Sequence, residues 1–184
     1  MSQSRMPPIH VSKINISHIE SAHLKISIQL QTDDAKHAFA RGIDKLQVRL
    51  HRIFRRGISR PPHSQVAEPE ERIRRQLNKS AKILDSAVSE VTDRLTNAGV
   101  PDLGVNCSTP PILRVMVFTP QARRYLELLG KYNQMVLSLE KMARYGLISM
   151  EAVSKEKERA KKAVSYVDNL VRDLDSPRCA KSKK

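Results

Sequence analysis

The stretch HLKISIQLQT, residues 23–32, alternates apolar and polar side chains along its length. Its apolar residues are Leu24, Ile26, Ile28 and Leu30, and the residues between them are Lys25, Ser27, Gln29 and Gln31. Successive side chains of a strand point to opposite faces, so this period of two predicts a half-buried β-strand over residues 23–31. One face should meet a core, and the other should be polar.

A second β-rich stretch, ILRVMVFTP, occupies residues 112–120. Leu113, Val115 and Val117 alternate there with Arg114, Met116 and Phe118, and we expect the first set to face the core. An isolated strand cannot satisfy its backbone hydrogen bonds, so the two strands should pair with each other or across a dimer. Antiparallel pairing would give a two-stranded ribbon.

Four helices are predicted where apolar residues recur at steps of three and four. Their expected spans are 33–56, 69–98, 120–145 and 149–176. Hydroxyl caps are expected before three of them, at Thr32, Thr119 and Ser149. Stops are expected at Gly57, Gly99 and Gly146. The segments 58–67 and 99–111 are predicted to be loops.

The order strand, Thr, helix, helix occurs twice in the chain. Placing Thr32 on Thr119 puts ISIQLQTDDA over LRVMVFTPQA and Ala35 over Ala122. We predict an α+β, mostly helical fold: a two-stranded antiparallel ribbon backed by about four helices, ribbon-helix-helix-like and pseudo-symmetric within one chain. Residues 22–176 should form one DNA-binding domain, between a flexible lead-in at 1–21 and a disordered basic tail at 177–184.

The charge balance points to a polyanionic partner. The chain has 33 Lys and Arg against 19 Asp and Glu, a formal net charge of +14. Such an excess favours DNA, RNA or an anionic membrane surface as partner. The two cysteines, Cys107 and Cys179, do not suggest a disulfide framework, which fits a reducing cytosol. The N-terminal residues lack the apolar stretch of a signal peptide, so a soluble cytoplasmic protein is expected.

Catalytic motifs are missing from the sequence. It has no Gly-rich phosphate loop, no HExxH and no Cys or Ser motif with a partnered base. None of the six His has metal-ligand spacing. We therefore expect no enzyme activity, no metal and no cofactor.

The polar face of the predicted ribbon is the candidate site for contacts to DNA bases. Its residues are Lys25, Ser27, Gln29, Arg114 and Met116. Lys and Arg suit the O6 and N7 atoms of guanine, Gln suits adenine, and Met can touch a thymine methyl group. The competing interpretation is that any antiparallel strand with one wet face carries such residues.

Basic residues on two helices are candidates for phosphate contacts. They are Arg41, Lys45, Arg49, Arg52 and Arg56 on the first helix and Arg123 and Arg124 on the third. Five like charges on one stripe repel unless something neutralises them, which phosphates would do. A solvated face is the alternative. Cations in the first turn of a helix oppose its dipole, so Arg123 and Arg124 also favour a phosphate nearby.

Residues 117–149, VFTPQARRYLELLGKYNQMVLSLEKMARYGLIS, carry a family resemblance. Phe118-Thr119-Pro120, Tyr125 and the pair Leu128-Leu129 resemble the signature of the AcaB-like family. These ribbon-helix-helix transcriptional activators are encoded on conjugative plasmids and integrating conjugative elements. The resemblance implies activation of conjugative transfer genes, double-stranded promoter DNA as partner, and cooperation with a FlhDC-like activator and RNA polymerase.

Two departures from an ordinary ribbon-helix-helix protein stand beside that resemblance. The predicted helices are longer than such domains need. The second helix carries Glu68, Glu70 and Glu71 near its start, where these proteins point a helix N-terminus at phosphate.

The alternative function is a non-regulatory helical accessory or scaffold protein of a conjugative element that binds nucleic acid or membrane without specificity. RNA binding is weakened by the scarcity of aromatic residues on the strands. The chain is expected to be a monomer or homodimer.

Overall fold

The structure, a computed structural model, describes residues 23–58, 64–100 and 112–176. Its elements are β1 (Leu24–Gln29), α1 (Asp33–Ile58), α2 (Ser64–Asn97), β2 (Ile112–Val117), α3 (Pro120–Arg144) and α4 (Met150–Asp175). The prediction of an α+β, mostly helical fold is confirmed. The expected lead-in at 1–21 and basic tail at 177–184 lie outside the described residues.

The two strands pair with each other as an antiparallel ribbon. Ser27 lies opposite Arg114 at its centre, with Lys25 opposite Met116 on one side and Gln29 opposite Ile112 on the other. The strand β1, predicted over residues 23–31, is shorter than predicted at both of its ends. β1 stops at Gln29, and the N–H groups of Gln31 and Thr32 that follow donate to the side chain of Asn133 on α3. β2 stops at Val117.

The predicted caps are present. Thr32 Oγ1 accepts a hydrogen bond from the Ala35 N–H at 3.3 Å, and Thr119 Oγ1 accepts one from the Ala122 N–H at 3.2 Å. Ser149 caps α4 in the same way. The two halves of the chain therefore start their first helices with the same local geometry, as the superposition of Thr32 on Thr119 predicted. The stop at Gly146, with φ +69°, is also present.

The predicted boundary between α1 and α2 is wrong. α1 continues through Gly57 to Ile58, and α2 begins at Ser64 rather than near Pro69. Helical residues therefore occupy both ends of the segment 58–67 that was expected to be a loop. Pro69 lies inside α2, at its sixth residue, so one intrahelical hydrogen bond, to the carbonyl of Gln65, is missing there.

The helices cover one side of the ribbon and enclose a single core. α2 and α4 each pack against α1 and α3 as well as against each other. The largest fully buried side chains come from several elements, among them Leu30, Leu46, Leu84, Leu129 and Tyr132. α2 and α4 approach closely enough for Ser80 Oγ to donate to the Ala163 carbonyl at 2.6 Å. The ribbon therefore lies on a helical base, and its other face is exposed within the described part of the chain.

Candidate nucleic-acid interface

The outward face of the ribbon carries six exposed side chains in three cross-strand pairs. They are Lys25 with Met116, Ser27 with Arg114, and Gln29 with Ile112. The opposite face carries Ile26 and Ile28, which are half-buried against the core, and the buried Val115. All five predicted base-contacting residues therefore lie on one exposed surface, which we call the ribbon face.

Ile112 belongs to the ribbon face although sequence reasoning did not select it. Its side chain is 58 % exposed, and Met116 on the same strand is 42 % exposed. The alternation of β2 contained the signal, because Ile112 is two residues before Arg114. Gln31, predicted to lie on the polar face of β1, is instead beyond the strand and half-buried.

Two buried amide side chains fix the ends of the ribbon. Asn133 Oδ1 on α3 accepts hydrogen bonds from the backbone N–H groups of Gln31 and Thr32, at 2.9 and 3.0 Å. Gln47 Oε1 on α1 accepts one from the Phe118 N–H at 3.3 Å. Each strand end is therefore held by the helix that follows the other strand. Neither amide was predicted from the sequence.

The charges of the ribbon face are not neutralised within the described part of the chain. Lys25 and Arg114 make no ion pair with any described residue. A desolvated anion, or a base edge rich in acceptors, would satisfy these donors. The ribbon face therefore combines available cations with apolar side chains and an amide.

The basic stripe of α1 is divided between two environments. Arg41 and Lys45 are exposed. Arg49 Nη1 lies 3.3 Å from Asp168 Oδ1, and Arg52 Nη1 lies 3.3 Å from Asp175 Oδ2, so α4 supplies anions to both. Both partners are distant in sequence, so the spacing of charges along α1 does not reveal them. The side chain of Arg56 lies outside the described residues.

Asp44 lies between Arg41 and Lys45 in sequence and is 7 % exposed. Burial raises the pKa of the Asp44 carboxyl above its usual range, since the charged form loses hydration. Arg41 and Lys45 are exposed, so their positive charges lie at the surface of α1.

The arginines at the start of α3 also have partners. Arg123 pairs with Glu127 at 3.3 Å on the exposed helix surface, and Arg124 donates to Asn78 on α2. An exposed pair of this kind is weak and exchanges readily with another anion. Arg124, which is half-buried, contributes instead to the contact between α2 and α3.

The acids near the start of α2 are largely engaged. Glu71 lies 3.4 Å from Arg75 and also pairs with Arg74. Glu70 accepts a hydrogen bond from Gln121 at 3.0 Å. Because α2 begins at Ser64, these acids lie in its second turn and not at its N-terminus.

A similar arrangement is found among solved structures. It is the crystal structure of selenomethionine-containing AcaB from uropathogenic E. coli, with a TM-score of 0.75. The alignment covers 84 % of this chain and 80 % of that one, at 11 % sequence identity. The chain has the AcaB fold. No protein-family model and no curated protein matches the sequence.

The similarity to AcaB spans most of the described architecture. At 11 % identity it is a likeness of backbone and topology, so no contact residue of AcaB carries over to this chain. The assignment of the ribbon face depends on the exposure and register of this chain alone. The AcaB fold nevertheless agrees with the family resemblance seen in residues 117–149.

Within the three described ranges, no three His, Cys, Asp or Glu side chains are grouped so that they could hold a metal ion. In the same ranges, every helix is too polar or too short in its apolar part to cross a lipid bilayer.

Proposed function

We propose that this protein is a sequence-specific regulator of transcription that binds double-stranded DNA through the ribbon face. The observation that carries the proposal is the exposed set Lys25, Ser27, Gln29, Arg114 and Met116 on one face of an antiparallel ribbon. A two-stranded ribbon fits the major groove, where each base pair presents a distinct pattern of donors, acceptors and methyl groups.

The chemistry of the ribbon face suits base edges better than it suits phosphate alone. Lys25 and Arg114 can donate to guanine O6 and N7, and the Gln29 amide can bond adenine at N6 and N7 together. Met116 offers a thymine methyl group an apolar contact. A surface that bound only the DNA backbone would use cations and an amide but would gain nothing from an exposed methionine.

Phosphate contacts would come chiefly from Arg41, Lys45 and Arg123. The first two are exposed, and the exposed pair of Arg123 with Glu127 can yield to a phosphate. Arg49, Arg52 and Arg124 contribute less, because residues of α2 and α4 already bind them. The net charge of +14 adds affinity for any duplex.

The regulated process that we propose is conjugative transfer. Support comes from the AcaB fold and from the resemblance of Phe118-Thr119-Pro120, Tyr125 and Leu128-Leu129 to the AcaB-like activators. On this proposal the protein activates transfer-gene promoters in the cytoplasm, together with a FlhDC-like activator and RNA polymerase.

Binding to transfer-gene promoter fragments, measured against random duplexes over a range of salt concentrations, tests the proposal. Wild type should prefer the promoter, and Lys25→Ala, Gln29→Ala and Arg114→Ala should each reduce that preference by about 1–3 kcal/mol. Salt-sensitive binding to random DNA should persist in the Gln29→Ala variant, because the amide carries no charge. Lys162→Ala, an exposed cation on α4, is the matched control.

Equal binding of wild type to promoter and random DNA would overturn the proposal. It would favour the alternative of an accessory protein of the transfer machinery with an unspecific basic surface. Unchanged promoter preference in all three variants would remove the ribbon face from the mechanism, even if the protein bound DNA specifically.

A further inference from the structure

We infer that a single chain reads an asymmetric, non-palindromic DNA site whose two ends are recognised by chemically different halves of the ribbon face. The inference rests on the DNA-binding function proposed above. It follows from the register of the strands and from which residues occupy equivalent positions in the two halves of the chain.

The ribbon has an internal two-fold axis between Ser27 and Arg114. The superposition that places Thr32 on Thr119 also places Ser27 on Arg114. These two residues lie directly opposite each other in the ribbon. Ser27 and Arg114 occupy equivalent positions in the two halves of the chain and also face each other across the ribbon. The two-fold axis that relates the halves must therefore pass between them. The matching caps on Thr32 and Thr119 obey the same relationship.

The axis relates backbones but not side chains. It makes Lys25 equivalent to Ile112 and Gln29 equivalent to Met116, in addition to Ser27 and Arg114. No equivalent pair shares its chemistry. A homodimer with one strand from each subunit would present identical residues on both sides of its axis and would therefore read two identical half-sites. This chain presents no such identity.

The two ends of the ribbon face consequently favour different bases. One end holds Lys25 beside Met116, and the other holds Gln29 beside Ile112. We expect a guanine near Lys25 and an A·T pair at the other end, where Gln29 bonds adenine and Ile112 packs on the thymine methyl group. Arg114 near the axis should favour a guanine between them.

The spacing of these residues sets the length of the core. A strand rises about 3.4 Å per residue, so Lys25 and Gln29 are separated by about 14 Å. This equals the rise of about four base-pair steps at 3.4 Å per step. The directly read core should therefore span about five base pairs and lie in one major groove.

Selection of tight-binding sequences from a random duplex library by the full chain provides the first test. We expect a non-palindromic core, bound by one chain per duplex in native mass spectrometry. Two symmetrised duplexes, each repeating one half of that core, should bind about tenfold more weakly or worse at fixed salt. A palindromic core, or symmetrised duplexes that bind as well as the selected one, would overturn the inference.

Variants locate the asymmetry on the ribbon. Gln29→Ala should relax the base preference at one end of the core only, and Lys25→Ala should relax it at the other. The control Lys162→Ala should leave both preferences intact. Loss of preference at the same end in both ribbon variants would contradict the assignment.

A symmetrised protein gives the reciprocal test. The triple variant Ser27→Arg, Ile112→Lys, Met116→Gln makes the outward residues of the two strands identical, and all three sites are exposed. Circular dichroism and a thermal melt establish that it folds. The variant should prefer a palindromic core over the wild-type site, and retention of the wild-type preference would overturn the inference.

The outcomes separate this inference from the proposed function. If wild type selects no sequence at all, the proposed specific binding fails and the inference fails with it. If wild type selects a palindrome, specific binding stands and only the asymmetry is wrong.

Discussion

Asn133, in the middle of α3, accepts hydrogen bonds from both the backbone N–H and the hydroxyl of Thr32, at 3.0 and 3.1 Å. The same Oδ1 atom also accepts the Gln31 N–H at 2.9 Å. Asn133 and Thr32 are both buried. One side-chain oxygen thus satisfies the chain where it leaves β1 and enters α1, and it sets where the ribbon ends on its helical base.

Replacing Asn133 with alanine should destabilise the protein more than the removal of so few side-chain atoms would suggest. In Asn133→Ala three donors lose their acceptor, and a buried polar group left unpaired is costly, so we expect a loss of about 2–3 kcal/mol. Urea denaturation measures it. Gln134→Ala, on the exposed side of the same helical turn, is the control and should change stability by less than about 0.5 kcal/mol. Equal effects of the two substitutions would show that the Asn133 bonds contribute nothing specific.

The regular elements of this fold could be predicted because their signals are local. The alternation over residues 23–31 and 112–117, the Thr32 and Thr119 caps, and Gly146 all act within a few residues. The start of α2 was predicted too late because Pro69, a residue type that commonly begins a helix, here lies inside one at its sixth residue.

The residues that anchor the ribbon could not be predicted, because their partners are distant in sequence. Asn133 and Gln47 are polar residues on otherwise apolar helix faces, and nothing nearby indicates which backbone groups they meet. The same holds for Arg49, whose partner Asp168 is on α4. Charge spacing along α1 therefore could not show that Asp168 and Asp175 lie beside Arg49 and Arg52.

Gly42 should resist replacement by alanine although it lies within a helix. A Cβ atom there would lie 3.0 Å from the hydroxyl oxygen of Tyr125, whose side chain is buried and has little room to move. We expect Gly42→Ala to destabilise the protein in thermal denaturation. Gly130→Ala on α3, where no atom lies within 4 Å of the added Cβ, should stabilise it by up to about 1 kcal/mol through helix propensity.

Removing the hydroxyl should reverse the effect at Gly42. In a Tyr125→Phe background the nearest remaining atom, Cζ, is 3.9 Å from the added Cβ, an ordinary contact. Gly42→Ala should then be neutral or stabilising, and the double-mutant cycle should show a clear coupling energy. An unchanged cost in the Phe background would mean that the Tyr125 hydroxyl is not the obstacle.

Stability should fall as the pH rises above about 10. Burial, followed by the charge of Asp168, raises the pKa of Tyr125 above 10.0, and burial, followed by Asp34 and Glu158, raises the pKa of Tyr132. Above that pH the unfolded chain releases phenolic protons that the folded chain keeps. The unfolded state then binds fewer protons, so the free energy of unfolding decreases with pH.

Lys157 adds to the same dependence. Burial acts to lower its pKa, but hydrogen bonds to Glu140 and Asp34 outweigh that effect and raise it above 10.5. Its stabilisation is therefore complete below pH 10.5 and is lost as the pH rises through the folded-state pKa.

Unfolding free energies measured by urea denaturation at about pH 8 and about pH 11 check the alkaline loss. Tyr132→Phe should flatten the decrease, because it removes one of the buried phenols. Tyr166→Phe, at a side chain that is 54 % exposed, is the control. A decrease equally steep in both variants would rule out Tyr132 as a source.

The two parts of the α1 basic stripe should respond differently when DNA binding is measured against salt. Lys45 is exposed, so Lys45→Ala should weaken binding to promoter and random duplexes alike and reduce the slope of log affinity against log salt by about one. Arg49 already pairs with Asp168, so Arg49→Ala should leave the slope nearly unchanged. Conversely, Asp168→Asn should release Arg49 and steepen the slope. Equal losses of slope in Lys45→Ala and Arg49→Ala would show that Arg49 leaves α4 to meet phosphate, which would restore the whole stripe as a DNA contact.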